Sequence, residues 1–70
     1  MTNPIVIGID AGGTMTDTIL VDHKGHFKIG KAATTPKNEA DGFIASAADA
    51  AEAWGLSLDE LFGGVDVVLY

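Results

Sequence analysis

Apolar positions change their spacing twice along this chain, and the changes mark out its elements. Residues 5–10 form a short apolar run rich in β-branched side chains, which predicts a buried strand. Its period of two puts Ile5, Ile7 and Ile9 on one face and Val6, Gly8 and Asp10 on the other. Ala11-Gly12-Gly13-Thr14 is a turn, in which glycine permits the positive φ that hairpins often require. A second strand follows over Met15–Val21, with Thr16, Thr18 and Leu20 on one face. Asp22-His23-Lys24-Gly25-His26 is a polar turn, and residues 27–32 alternate again as a third strand. Together these predict a three-stranded antiparallel meander.

The period then becomes helical. Residues 33–37 read as a connection, because Pro36 disfavours helix at Thr35. Asn38 is the expected N-cap, with Glu39 and Asp41 placing negative charge in the first turn. A helix is predicted over Glu39–Trp54, with Gly55 closing it. Phe43, Ala47, Ala50, Ala51 and Trp54 form its apolar stripe, with Ile44 at the edge. Glu39, Asp41, Asp49 and Glu52 read as its solvated face. Ser57-Leu58-Asp59-Glu60 is a capping-box pattern that predicts a short helix over 58–62. A further strand is expected from Val65.

Composition narrows the function classes. Seventy residues make at most one small domain, and a chain of that size buries only about 60% of its unfolded surface. The last strand reaches Tyr70 without a turn or cap, so the chain reads as the N-terminal part of a longer domain. The net charge of −6, with four Lys and no Arg, argues against a nucleic-acid surface. It leaves ATP open, since backbone N–H groups and a metal ion can make a phosphate site. No apolar run approaches a membrane span, and no basic segment precedes an apolar core as in a signal peptide. The absence of Cys fits a cytoplasmic setting. His23 and His26 lie in the polar turn and read as solvated.

The candidate chemistry gathers at the Gly-Gly hairpin. A phosphate needs several donors converging on one point, and glycine lets backbone amides come close. Gly12, Gly13 and Thr14 are the expected phosphate contacts, with Thr16 as a further hydroxyl donor. Asp10 repels phosphate directly but suits a hydrated Mg²⁺, which takes oxygen ligands and neutralises phosphate charge. Asp17 is a candidate catalytic carboxylate; its plainer reading is a hydrogen bond to the turn backbone or Thr14. An ordinary hairpin turn capped by Asp10 is equally consistent with the spacing. The P-loop is excluded because no Lys follows Gly13, and the dinucleotide fingerprint because a strand follows the turn.

Ile7-Gly8-Ile9-Asp10-Ala11-Gly12-Gly13-Thr14-Met15-Thr16-Asp17-Thr18 resembles the first phosphate motif of the actin-like ATPase superfamily. Its Gly-Gly-Thr-x-Thr-Asp form is similar to that of the hydantoinase A and 5-oxoprolinase group. Gly30-Lys31-Ala32 and Thr34-Thr35-Pro36-x-Asn38-Glu39-Ala40 extend the likeness towards the beta subunits of acetone-type ketone carboxylases. The resemblance implies a ribonuclease-H-like α/β domain with ATP bound between two such units. It implies Asp10 at the metal, Gly12, Gly13, Thr14 and Thr16 at the phosphates, and a ketone and bicarbonate activated by phosphorylation. It also implies partner subunits in a hetero-oligomer, one of them carrying a further metal such as Mn or Zn. The second phosphate motif would lie beyond Tyr70, so the segment alone is expected to be inactive. The alternatives are an ATP-dependent hydantoinase or 5-oxoprolinase, a sugar kinase, and a non-catalytic interaction module. Sugar kinases of this type usually place a basic residue soon after the Thr, where this chain has Asp17.

Overall fold

The computed structural model describes residues 2–34 and 39–70, and of Glu39 only the backbone. The element order is β1 (Val6–Ala11), β2 (Met15–Val21), β3 (Phe27–Ala33), α1 (Glu39–Trp54), α2 (Leu58–Gly64) and β4 (Val67–Leu69). The sheet order is β3-β2-β1-β4. β1, β2 and β3 pair antiparallel as the predicted meander, and β4 joins β1 in parallel. The expected Asn38 cap and the connection over 35–37 lie outside the described residues.

Helix α1 lies across β2 and β3 and closes one face of the sheet. The small residues of its stripe make close approach possible. Ala47, Ala50, Ala51 and Trp54 are buried with Ile7 and Leu20, while Phe43 packs against that core from its margin and Ile44 is exposed. Ser46 is also fully buried, which the apolar stripe did not reveal. Its hydroxyl donates to the Phe43 carbonyl, so the paired Thr18 hydroxyl donates to it in turn. Beneath it lies Gly30. A Cβ there would run into the Ser46 carbonyl and the Ala50 amide, so glycine fixes the helix-to-sheet distance.

β1 and β3 lie within one residue of their expected spans, while two boundaries and one side chain depart further from the sequence expectation. Helix α2 continues through Gly63 and Gly64, although glycine is a weak helix former. Its Ser57–Glu60 capping box is complete and its Leu61 is fully buried, so cap and packing outweigh propensity. The last strand begins at Val67 rather than Val65, because Asp66 and Val67 both donate to the Ile5 carbonyl at its start. Asp49 is not only a solvated acid. Its carboxylate accepts the Lys31 amide at 3.0 Å, tying the outer edge of β3 to α1. That bond blunts an otherwise open strand edge.

Among the described residues no helix covers the opposite face of the sheet. Phe27 and Ile29 of β3 and Leu69 of β4 are about half exposed there, at 57%, 48% and 58%. Among the described residues no helix is long and apolar enough to cross a membrane.

Candidate functional site

The β1–β2 register builds the site. Asp10 lies opposite Asp17, and Ala11 lies opposite Thr16. The turn closes with the Gly12 amide donating to the Met15 carbonyl at 2.9 Å. Neither Gly12 nor Gly13 has a positive φ; among the described glycines that conformation is confined to Gly25 and Gly55. The expectation of left-handed turn glycines is therefore corrected. What glycine supplies here is a missing side chain. A Cβ on Gly12 would stand 3.1 Å from the Met15 carbonyl oxygen, and a Cβ on Gly13 would project into open space. Among the described residues, nothing accepts a hydrogen bond from the Gly13 or Thr14 amides or from the Thr14 hydroxyl. Three donors thus remain available at one exposed turn.

Thr16 is placed differently from Thr14. It is buried on the helix side, with Oγ1 at 3.0 Å from Thr34 Oγ1. Thr34 spends its own proton on the Gly12 carbonyl at 2.8 Å, so Thr16 is the donor of the pair. The Thr34 amide also donates to the Thr14 carbonyl at 2.9 Å. Gly42 makes room beside this relay, since a Cβ on it would stand 3.1 Å from Thr16 Oγ1. The turn is thereby held from behind by Thr16 and Thr34, while its front stays open.

Asp10 is exposed, and none of the described residues donates to its carboxylate. Asp17 does not bond the turn or Thr14. Its Oδ1 meets Lys31 Nζ at 3.3 Å, and Lys31 lies directly opposite it in the β2–β3 register. Asp10, Asp17 and Lys31 therefore form one row across three strands. They line a cleft of about 440 Å³ on the open face of the sheet, floored by Ile19, Ile29 and Leu69, with Gly8 and Tyr70 on its wall. A Cβ on Gly8 would approach the Ile19 side chain to 2.9 Å, so glycine here keeps that floor low. Among the described residues, no three side chains of metal-ligating type gather. The donor set suits Mg²⁺ held through one carboxylate, water and phosphate oxygens, the mode that ion prefers. It does not suit a closed cage.

Lys31 was not legible as a site residue in the sequence. Fourteen positions separate it from Asp17, and only the pairing of β2 with β3 joins them. The other unforeseen group is Asp22, at the far end of β2. Its side chain is buried and accepts from Thr2 Oγ1, His26 Nδ1 and the Lys24 and His26 amides. Burial alone would raise its pKa, but the bonds from His26, Thr2 and the two amides outweigh it. The carboxyl is held well below the usual carboxylate range. His26 is exposed as expected, and it is also tied to the turn by its bond to Asp22 at 2.9 Å. The signal was present in the spacing, since an Asp commonly accepts amides two residues on.

The chain is similar to several known proteins. Residues 6–70 match the family described as hydantoinase/oxoprolinase N-terminal region. The acetone carboxylase beta subunit of Xanthobacter autotrophicus is 51% identical over 70 residues, all of this chain and 10% of that protein. Caprolactamase subunit alpha of Pseudomonas jessenii is 38% identical over 63 residues, 90% of this chain and 9% of that protein. The acetophenone carboxylase gamma subunit of Aromatoleum aromaticum is 38% identical over 65 residues, 91% of this chain and 9% of that protein. A nucleotide-free acetone carboxylase structure, from work on the mechanism of ATP-dependent acetone carboxylation, superposes with a TM-score of 0.91 at 51% identity. It covers 97% of this chain and 10% of that one. The chain thus spans about a tenth of the length of these relatives. The mixed sheet with its two helices is consistent with the ribonuclease-H-like fold expected from the sequence.

Proposed function

The chain belongs to the hydantoinase/oxoprolinase N-terminal family, and from that premise we propose that it is the ATP-phosphate-binding opening segment of an ATP-dependent ketone carboxylase subunit. The observation that carries the reading is the front of the hairpin. An unpartnered Asp10 carboxylate sits beside a turn whose Gly13 and Thr14 amides and Thr14 hydroxyl are free. That turn lies in a chain 51% identical throughout to part of an acetone carboxylase subunit.

In this reading the free amides and the Thr14 hydroxyl hold phosphate oxygens, and the open space at Gly13 admits them. Gly12 keeps the turn closed through its bond to Met15. Thr16 acts through Thr34, which fixes the Gly12 carbonyl away from the phosphates. Asp10 would hold a hydrated Mg²⁺, whose chemistry there would be to neutralise phosphate charge. ATP would activate the ketone and bicarbonate, and the metal for carboxylation would sit in a partner subunit. The second half of the nucleotide site would come from a longer polypeptide in a cytoplasmic hetero-oligomer. The apolar, helix-free face of the sheet supports that extension, since a sheet face of this kind is normally buried against a second layer.

A second reading is an ATP-dependent enzyme acting on a cyclic amide. The caprolactamase match supports it at 38% identity over nearly the same residues. The two separate in one assay on the full-length subunit assembled with its partners. ATP hydrolysis is followed with acetone plus bicarbonate and, separately, with hydantoin, 5-oxoproline or caprolactam. Stimulation by acetone plus bicarbonate is the expected result. Stimulation by the cyclic amides alone would replace the carboxylase with the second reading.

A further inference from the structure

We propose that Lys31 is a phosphate-binding residue of this site, delivered from the third strand rather than from the hairpin. The inference rests on the reading of the hairpin as an ATP site and adds to it a side chain that the motif does not contain.

Asp10, Asp17 and Lys31 stand opposite one another in a single row across β1, β2 and β3. Like charges directly opposite on adjacent antiparallel strands are destabilising. Asp10 and Asp17 are such a pair, so the row calls for positive charge. Lys31 supplies one unit, through Asp17 at 3.3 Å, and leaves a formal charge of −1 (two carboxylates and one ammonium). A divalent cation at Asp10 changes the row to +1, which attracts a polyphosphate. Without Lys31 the same row with the cation would be neutral.

Reach agrees with charge. Strands lie about 4.8 Å apart, so the Lys31 backbone stands roughly 10 Å from that of Asp10. The long lysine stem crosses part of that gap, and its ammonium already lies over β2 beside Asp17. The side chain is 63% exposed and lines the same cleft as Asp10. An exposed ion pair of this kind contributes little to stability, so the ammonium is free to exchange Asp17 for a stronger anion. Its backbone is not free to drift, because Asp49 of α1 holds the Lys31 amide. Asp17 is then a positioning residue that parks the ammonium at the rim of the site.

The test is Mg²⁺-ATP binding by calorimetry to the full-length subunit assembled with its partners. Lys31→Met is expected to weaken binding by about tenfold or more, the loss of one hydrogen bond to a charged group. Lys31→Arg is expected to recover most of it. The double variant Asp17→Asn/Lys31→Met separates recognition from sheet electrostatics. If Lys31 serves only to neutralise Asp17, the double variant regains normal binding and the proposal fails. If Lys31 binds phosphate, the double variant stays weak. Asp10→Asn runs alongside as a control for the site itself. Unchanged binding in Lys31→Met with loss in Asp10→Asn would overturn the proposal and leave the ATP site standing. Unchanged binding in both would overturn both.

Discussion

Two carboxylates, one within β2 and one just past its end, show how differently one residue type is used. Asp17 is partly exposed and holds one loose ion pair. Asp22 is buried and accepts four hydrogen bonds. Because those bonds favour its charged form, Asp22 contributes stability above the unfolded carboxyl value of about 3.9. That contribution is lost as pH falls through this range towards the lower folded value. We expect Asp22→Asn to melt below the parent at neutral pH, with the gap closing in acid as the parent's carboxylate is protonated. A gap that stays constant with pH would show that the charge is not what matters. The sequence displayed Asp10, Gly12, Gly13 and Thr14 as a group because they are neighbours in a local motif. It hid Lys31 because its partner Asp17 arrives from the adjacent strand, and for Asp22 it hid only Thr2, twenty residues earlier, since the Lys24 and His26 bonds are local.

Elements were more legible than contacts. β2 and α1 occupy their expected spans, since apolar period, alanine content and the Gly55 stop all act locally. The use of each glycine was not legible. Gly12 and Gly13 were expected to serve the turn by left-handed backbone, yet they serve by absence of side chain. Gly30, inconspicuous in its strand, sets the seat of α1. Gly30→Ala would push α1 off β3 against the Ser46 carbonyl and Ala50. Overpacking of that kind costs about 1–3 kcal/mol. A lowered melting temperature with weakened amide protection along α1 is the expected readout. An unchanged melt would mean that the helix seat yields freely.

On the scale of the molecule, the chain holds one finished face and one unfinished one. α1 completes the core on its side, with Ile7 and Leu20 fully buried. Across the sheet, the Asp10–Asp17–Lys31 row opens onto apolar side chains. This asymmetry suits a segment that brings half of a nucleotide site to a larger enzyme, in line with relatives about ten times its length. The central claim is that the hairpin grips Mg²⁺-ATP through Asp10 and the open turn. It is tested most directly by Asp10→Asn in the full-length subunit assembled with its partners, followed as Mg²⁺-dependent ATP turnover with the fold checked by circular dichroism. The account predicts loss of turnover with the fold retained, because the Asp10 carboxylate is exposed and holds no hydrogen bond or ion pair among the described residues. Turnover equal to the parent's would contradict it and leave Asp10 as an ordinary hairpin residue.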